Sequence, residues 1–198
     1  MYWYEDEVKR LENDRRKLGY EPETIFYGSS SIRMWTSLYD DFKEIKPINL
    51  GFGGSTLAAC VWFFERLMTT YKPKRFIIYA GDNDLGDGRH PEEVFIFFQQ
   101  LAVKIDAHFG DIPCYYISLK PSPNRLNMID QYKYANNLIE NEIVKNDNNW
   151  QFINVFKDMI DANGRPKNEL YVRDGLHLSK AAYRLWEEKV NNYITVNH

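Results

Sequence analysis

The sequence predicts an α/β domain of three layers, flavodoxin-like, with a mainly parallel five-stranded sheet between helices. Short apolar runs alternate with helical segments along the chain. The runs are apolar at consecutive positions, as strands are when helices cover both faces of a sheet. The first three runs also stop at or just before a glycine, Gly28, Gly51 and Gly81, and a polar cluster follows each.

The elements follow in order. Residues 4–18 read as an exposed, charged helix ended by Gly19. Residues 24–27 (TIFY) form a first strand, and residues 45–50 a weaker second one. Residues 57–70 read as a helix, because Leu57, Val61, Phe64 and Met68 recur at spacings of three and four. Residues 75–80 (RFIIYA) give the clearest strand. Residues 91–109 form a helix with Pro91 near its start, where the missing N–H costs nothing. Residues 112–119 form the fourth strand, followed by the Pro121-Ser122-Pro123 loop and a long helix over residues 125–145. Residues 151–156 make the fifth strand. Residues 179–193 close the chain as a helix with Ser179 as N-cap. No linker, repeat or low-complexity segment interrupts this series. One domain over residues 1–198 is expected, with residues 1–20 packed on it as an N-terminal helix. The longest polar loop is 161–173 (DANGRPKNELYVR).

Composition narrows the function classes. At 198 residues, 44% hydrophobic and 27% charged, the chain has the balance of a globular protein with a sizeable core. A net charge of -3 gives no basic footprint for nucleic acid. No apolar stretch approaches the roughly 18 residues that span a bilayer. The N-terminus lacks the apolar core of a signal peptide, so a cytoplasmic location is the default. Cys60 and Cys114 lie in apolar surroundings and read as buried free thiols.

Active sites of open α/β sheets lie beyond the carboxyl ends of the strands. Three polar clusters fall there: Gly28-Ser29-Ser30-Ser31, Gly51-Phe52-Gly53-Gly54-Ser55-Thr56 and Gly81-Asp82-Asn83-Asp84. With a strand order of 2-1-3-4-5 these clusters share one rim. Asp174 and His177, in Asp174-Gly175-Leu176-His177, then follow the far edge strand, and the 161–173 loop has to carry them back. The residue types fit nucleophilic catalysis. A serine hydroxyl needs a base to take its proton. His177 can serve, with Asp174 fixing its tautomer. A developing oxyanion needs preorganised donors, for which the candidates are the Gly54 N–H, the Asn83 side-chain amide and the Ser30 N–H.

These four blocks resemble the SGNH hydrolases, the GDSL-like lipases and acylhydrolases. Ser30 in FYGSSSIRMW matches the family serine, and the glycine of NLGFGGST the family glycine. Asn83 in YAGDND matches the asparagine, and His177 in DGLHLS the histidine, with Asp174 as the triad acid. The blocks occur in the family's order over nearly the whole chain from Thr24. The resemblance implies a flavodoxin-like sheet of order 2-1-3-4-5, no metal or cofactor, and hydrolysis of acyl esters. Three points depart from the pattern or leave it open. Ser29 stands where the family has aspartate. The three consecutive serines admit Ser29 or Ser31 beside the favoured Ser30. The glycine is Gly53 or Gly54, with Gly54 favoured as the residue just before Ser55-Thr56.

Each motif alone has a plainer explanation. Gly28-Ser-Ser-Ser is a strand-to-helix turn, Gly53-Gly54 a tight turn, and Asp82-Asn83-Asp84 a polar loop or cation site. Only their joint appearance on one rim favours an enzyme. His90, His108 and His198 read as loop, helix face and tail. Trp35, Trp62, Phe63 and Phe64 read mainly as core, and Arg33 as a structural ion pair or a substrate anchor. The expected function is a serine-dependent esterase acting on short acyl groups of a small-molecule or carbohydrate ester. A silent ligand-binding member of the fold and an acyltransferase are the alternatives.

Overall fold

The computed structural model describes residues 1–146 and 149–195. His198, expected in a tail, lies outside the described residues. Five strands form one all-parallel sheet of order β2-β1-β3-β4-β5. They are β1 (Thr24–Gly28), β2 (Pro47–Gly51), β3 (Arg75–Tyr79), β4 (Cys114–Ile117) and β5 (Trp150–Ile153). The helices are α1 (Glu5–Arg15), α2 (Ser30–Arg33), α3 (Leu38–Asp41), α4 (Leu57–Met68), α5 (Asp82–Gly86), α6 (Pro91–Phe109), α7 (Ile129–Lys145) and α8 (Lys180–Thr195).

The strand side chains alternate between two cores, which is why the runs read as continuously apolar. Ile25, Tyr27, Phe76, Ile78 and Tyr116 face a core shared with α1, α4, α6 and α7. Phe26, Ile77, Tyr79, Tyr115 and Ile117 face the other core, with Trp35, Leu38 and Trp186. Trp35 and Trp186 are fully buried, and fully burying a large apolar side chain contributes roughly 1.5–3 kcal/mol or more. Among the described residues no helix is long and apolar enough to cross a membrane.

Boundaries differ from expectation for local reasons. The first helix stops at Arg15, short of Gly19. Ile45 belongs to a 3-10 turn, and β2 starts at Pro47 after Lys46 adopts φ 45°. The fifth strand ends at Ile153, because the Ser118 hydroxyl takes the Val155 and Phe156 N–H groups at 3.0 and 3.1 Å. The single helix expected over 125–145 is a 3-10 segment, Pro123–Met128, leading into α7, with Arg125 at non-helical φ -119° and ψ 33°. The polar run at Asp82-Asn83-Asp84 opens the short helix α5, and Asp82 and Asp84 are buried. Ser179 precedes α8, and its hydroxyl accepts the Ala182 N–H at 3.4 Å.

Candidate active site

The serine turn begins with a close approach of two strands. Gly28 pairs with Gly51 on one side and Tyr79 on the other, at φ 140°. A Cβ there would lie 1.8 Å from the Tyr79 carbonyl oxygen. The chain then turns into α2, and Ser29 donates its N–H to that same oxygen at 2.9 Å. Ser29 and Ser31 are buried, and among the described residues their hydroxyls have no hydrogen-bond partner. Ser30, between them, is partly exposed at the first position of α2. The first N–H groups of a helix have no partner within it, so the Ser30 N–H is a candidate donor. Of the three serines, Ser30 is the one that faces solvent.

The glycine loop is pinned from both sides. The Ser55 hydroxyl donates to the Gly28 carbonyl at 2.9 Å, and Phe52 N–H donates to it at 3.0 Å. From α1 and the turn before it come three further anchors. Arg10 donates to the Gly51 carbonyl at 2.9 Å, Glu7 accepts the Gly53 N–H at 3.1 Å, and the Tyr4 hydroxyl donates to the Gly54 carbonyl at 2.9 Å. Gly53 therefore has its N–H committed to a carboxylate. Gly54, at φ 68°, is the glycine of the pair that remains a candidate donor. Glu7 also pairs with Arg33 at 2.9 Å, which gives Arg33 the structural role. Burial acts to raise the Glu7 carboxyl, but the Gly53 N–H and the Arg10 and Arg33 guanidiniums outweigh it and hold it below its ordinary value.

Asn83 sits beside this loop. Its amide nitrogen donates to the Ser55 carbonyl at 3.0 Å, and its oxygen accepts from Arg125 at 3.1 Å. A guanidinium only donates, so the amide oxygen must face Arg125, and the second amide N–H is left for another acceptor. Next to it Asp82 is buried with Lys120, itself 2% exposed, at 3.0 Å, and accepts from the Tyr79 hydroxyl at 3.0 Å. Burial would push the Asp82 carboxyl up. Lys120 and Arg125 outweigh that and keep it below its usual range.

Asp174 and His177 are paired as the spacing predicted. The Asp174 Oδ2 lies 2.6 Å from His177 Nδ1, and its Oδ1 accepts the Leu176 and His177 N–H groups at 2.8 and 2.9 Å. These contacts, the ring first, hold the Asp174 carboxyl down to about 2. Gly175 takes φ 67° to close the turn. The 161–173 loop turns back as far as the segment that follows β4. Tyr171 donates its hydroxyl to the Pro121 carbonyl beyond β4. Asn124 donates its N–H to the Gly175 carbonyl at 3.0 Å and its side chain to the Asp174 carbonyl at 3.3 Å. Past His177, Tyr183 of α8 reaches the Ser31 carbonyl beyond β1 at 3.0 Å. Among the described residues no hydrogen bond joins the Ser30 hydroxyl to His177; such bonds commonly tighten only when substrate binds.

Sequence reasoning missed Tyr4, Glu7, Asn124 and Arg125, whose contacts span 42 to 50 residues. The Pro121-Ser122-Pro123 loop was the one visible signal, a polar turn leaving a strand at the active rim. The aromatics divide. Trp35, Phe63 and Phe64 are core, whereas Trp62 is 70% exposed on the outer face of α4. His90 is the N-cap of α6, and His108 lies edge-on to Phe64 at 5.7 Å between ring centroids.

Known proteins share this architecture. A proposed platelet activating factor from Streptococcus pneumonia superposes with a TM-score of 0.83 at 20% identity, over 97% of this chain and 94% of its own. A GDSL-like lipase from Bacteroides thetaiotaomicron gives 0.78 at 21%, over 96% and 98%. An acetyl xylan esterase gives 0.67 at 19%, over 86% and 98%. Likeness at these identities establishes the fold. No curated protein matches the chain. Residues 19–185, which hold all four blocks, match the GDSL-like Lipase/Acylhydrolase family, and the chain belongs to that family of hydrolases.

Proposed function

We propose that the protein hydrolyses acyl esters through Ser30, with His177 as base and Asp174 as the residue that orients it. The observation that carries this is the accessibility of Ser30. It is the partly exposed serine between two buried ones, at the head of α2, where the first strand opens onto the rim. The Ser30 oxygen attacks the acyl carbonyl while its proton passes to His177 Nε2. The negative oxygen is held by the Ser30 N–H, the Gly54 N–H and the second Asn83 amide N–H. Collapse expels the alcohol, which takes the proton from His177. Water, deprotonated by the same ring, then attacks the acyl-serine; the acid is released and Ser30 Oγ takes the proton back from His177.

Short acyl groups, acetyl foremost and carried on a carbohydrate, are the substrate class we put first. The acetyl xylan esterase among the structural neighbours supports that choice. Ser30→Ala tests the mechanism on a panel of p-nitrophenyl acetate, butyrate and long-chain esters with acetylated sugars. Turnover should vanish with the melting temperature unchanged, and the wild type should favour acetate. Full activity in the variant would remove Ser30 from the mechanism. A fluorophosphonate probe should label the wild type and not the variant, which separates hydrolysis from mere ligand binding.

A further inference from the structure

We infer that Arg125 is the positioning residue of the oxyanion pocket: its guanidinium fixes which way the Asn83 amide faces and strengthens the N–H that it presents. This rests on the role proposed above for Asn83. The guanidinium bonds two consecutive residues at once. One nitrogen donates to the Asp82 carbonyl at 2.7 Å, and the other to the Asn83 side-chain oxygen at 3.1 Å. An amide side chain has two nearly isosteric orientations, and a partner that can only donate, on its oxygen, or only accept, on its nitrogen, excludes one of them; the Ser55 carbonyl is the second kind. Arg125 is the first kind, and it holds the oxygen end of the amide. The two contacts together turn the amide nitrogen toward the Ser55 carbonyl, with one N–H bonded at 3.0 Å and, among the described residues, one left over. A cation on the amide oxygen also polarises the group, so the remaining N–H is a stronger donor.

The surroundings are shaped for a flat guanidinium. A Cβ on Gly86 would lie 2.7 Å from both Cζ and Nη2 of Arg125, so this glycine leaves the space in which the guanidinium lies. Arg125 takes its non-helical conformation at this point, one residue after Asn124, which holds Asp174 and Gly175. The same turn therefore spans the distance between the oxyanion side of the site and the acid–base side. Lysine cannot replace it, because one ammonium does not match two acceptors in a fixed fork.

The test is a double-mutant cycle on p-nitrophenyl acetate, with Arg125→Met, Asn83→Ala and both together. Asn83→Ala alone should lower kcat by about 100-fold or more, as loss of one oxyanion donor does. Arg125→Met should lower kcat by roughly 10- to 100-fold with KM changed less than about threefold, the cost of a misplaced catalytic group. In the Asn83→Ala background the same substitution should cost less than about threefold, since there is no amide left to orient. Gly86→Ala, which leaves Arg125 in the chain but crowds its guanidinium, should reproduce the kcat loss. It keeps the inference testable if Arg125→Met does not fold. An unchanged kcat in Arg125→Met and Gly86→Ala, or a full Arg125→Met penalty retained without Asn83, would overturn it. An unchanged kcat in Asn83→Ala would instead remove the oxyanion role of Asn83, and the inference with it.

Discussion

Replacing Asp174 by asparagine changes one atom and leaves the shape of the turn. The wild-type carboxylate divides its work. Oδ1 receives two backbone N–H groups at 2.8 and 2.9 Å, and Oδ2 receives the ring at 2.6 Å. In the variant, the two backbone donors require the amide oxygen to take the Oδ1 position. The NH2 group is then forced onto His177 Nδ1. That nitrogen must become an acceptor, which leaves the proton on Nε2, where it blocks the base. The amide can escape by flipping, but it then turns NH2 toward two N–H groups. Two bonds of about 1–1.5 kcal/mol each are lost, so the flip costs about 2–3 kcal/mol before repulsion is added. At about 1.4 kcal/mol per decade, the lower figure sets a floor near 30-fold. The full wrong-tautomer penalty sets a ceiling near 10⁴-fold. The expected loss in kcat/KM on p-nitrophenyl acetate lies between these limits, with the fold intact by circular dichroism. A rate within about threefold of wild type would refute the tautomer argument and remove Asp174 from the mechanism.

Three further outcomes are expected. Gly28→Ala should lower stability by more than about 3 kcal/mol in urea titration, since a Cβ at φ 140° meets the backbone of β3 at 1.8 Å. Lys120→Met should cost about 3–5 kcal/mol by leaving the Asp82 carboxylate without its closest cation, and Lys120→Met with Asp82→Asn should recover most of it. Burial raises the Asp84 carboxyl from 3.8 to about 6 despite the Leu57 and Ala58 N–H groups. Between those values the native state holds a proton that the unfolded chain has lost, so this group's contribution falls as pH rises from about 4 to about 6, on the order of 3 kcal/mol in all. Melting curves across that range should show the decline in wild type and a flatter profile in Asp84→Asn; identical slopes would dismiss it.

Sequence alone determined the layer architecture, because strand burial on both faces leaves an apolar run that no loop or amphipathic helix imitates. It also determined the Asp174–His177 pair, whose geometry is local: three residues, one glycine at positive φ, and a carboxylate that caps its own turn. The four blocks of the family could be read for the same reason, since each follows directly on a strand end or leads into a helix. Tertiary structure alone decided which serine is accessible, because Ser29 and Ser31 are buried by packing of α2 on the sheet. It also separated Gly53 from Gly54, through a carboxylate 46 residues away on α1. The charged N-terminal helix, expected only to pack on the domain, also supports the glycine loop. Arg125 is the clearest case. Its partner lies 42 residues upstream, and only the register of β3 against β4 brings them together. Periodicity and turn chemistry are written in neighbouring residues and can be read from them. Contacts that orient a side chain across the rim depend on how strands are ordered and aligned, and that is fixed only when the whole sheet closes on its two cores.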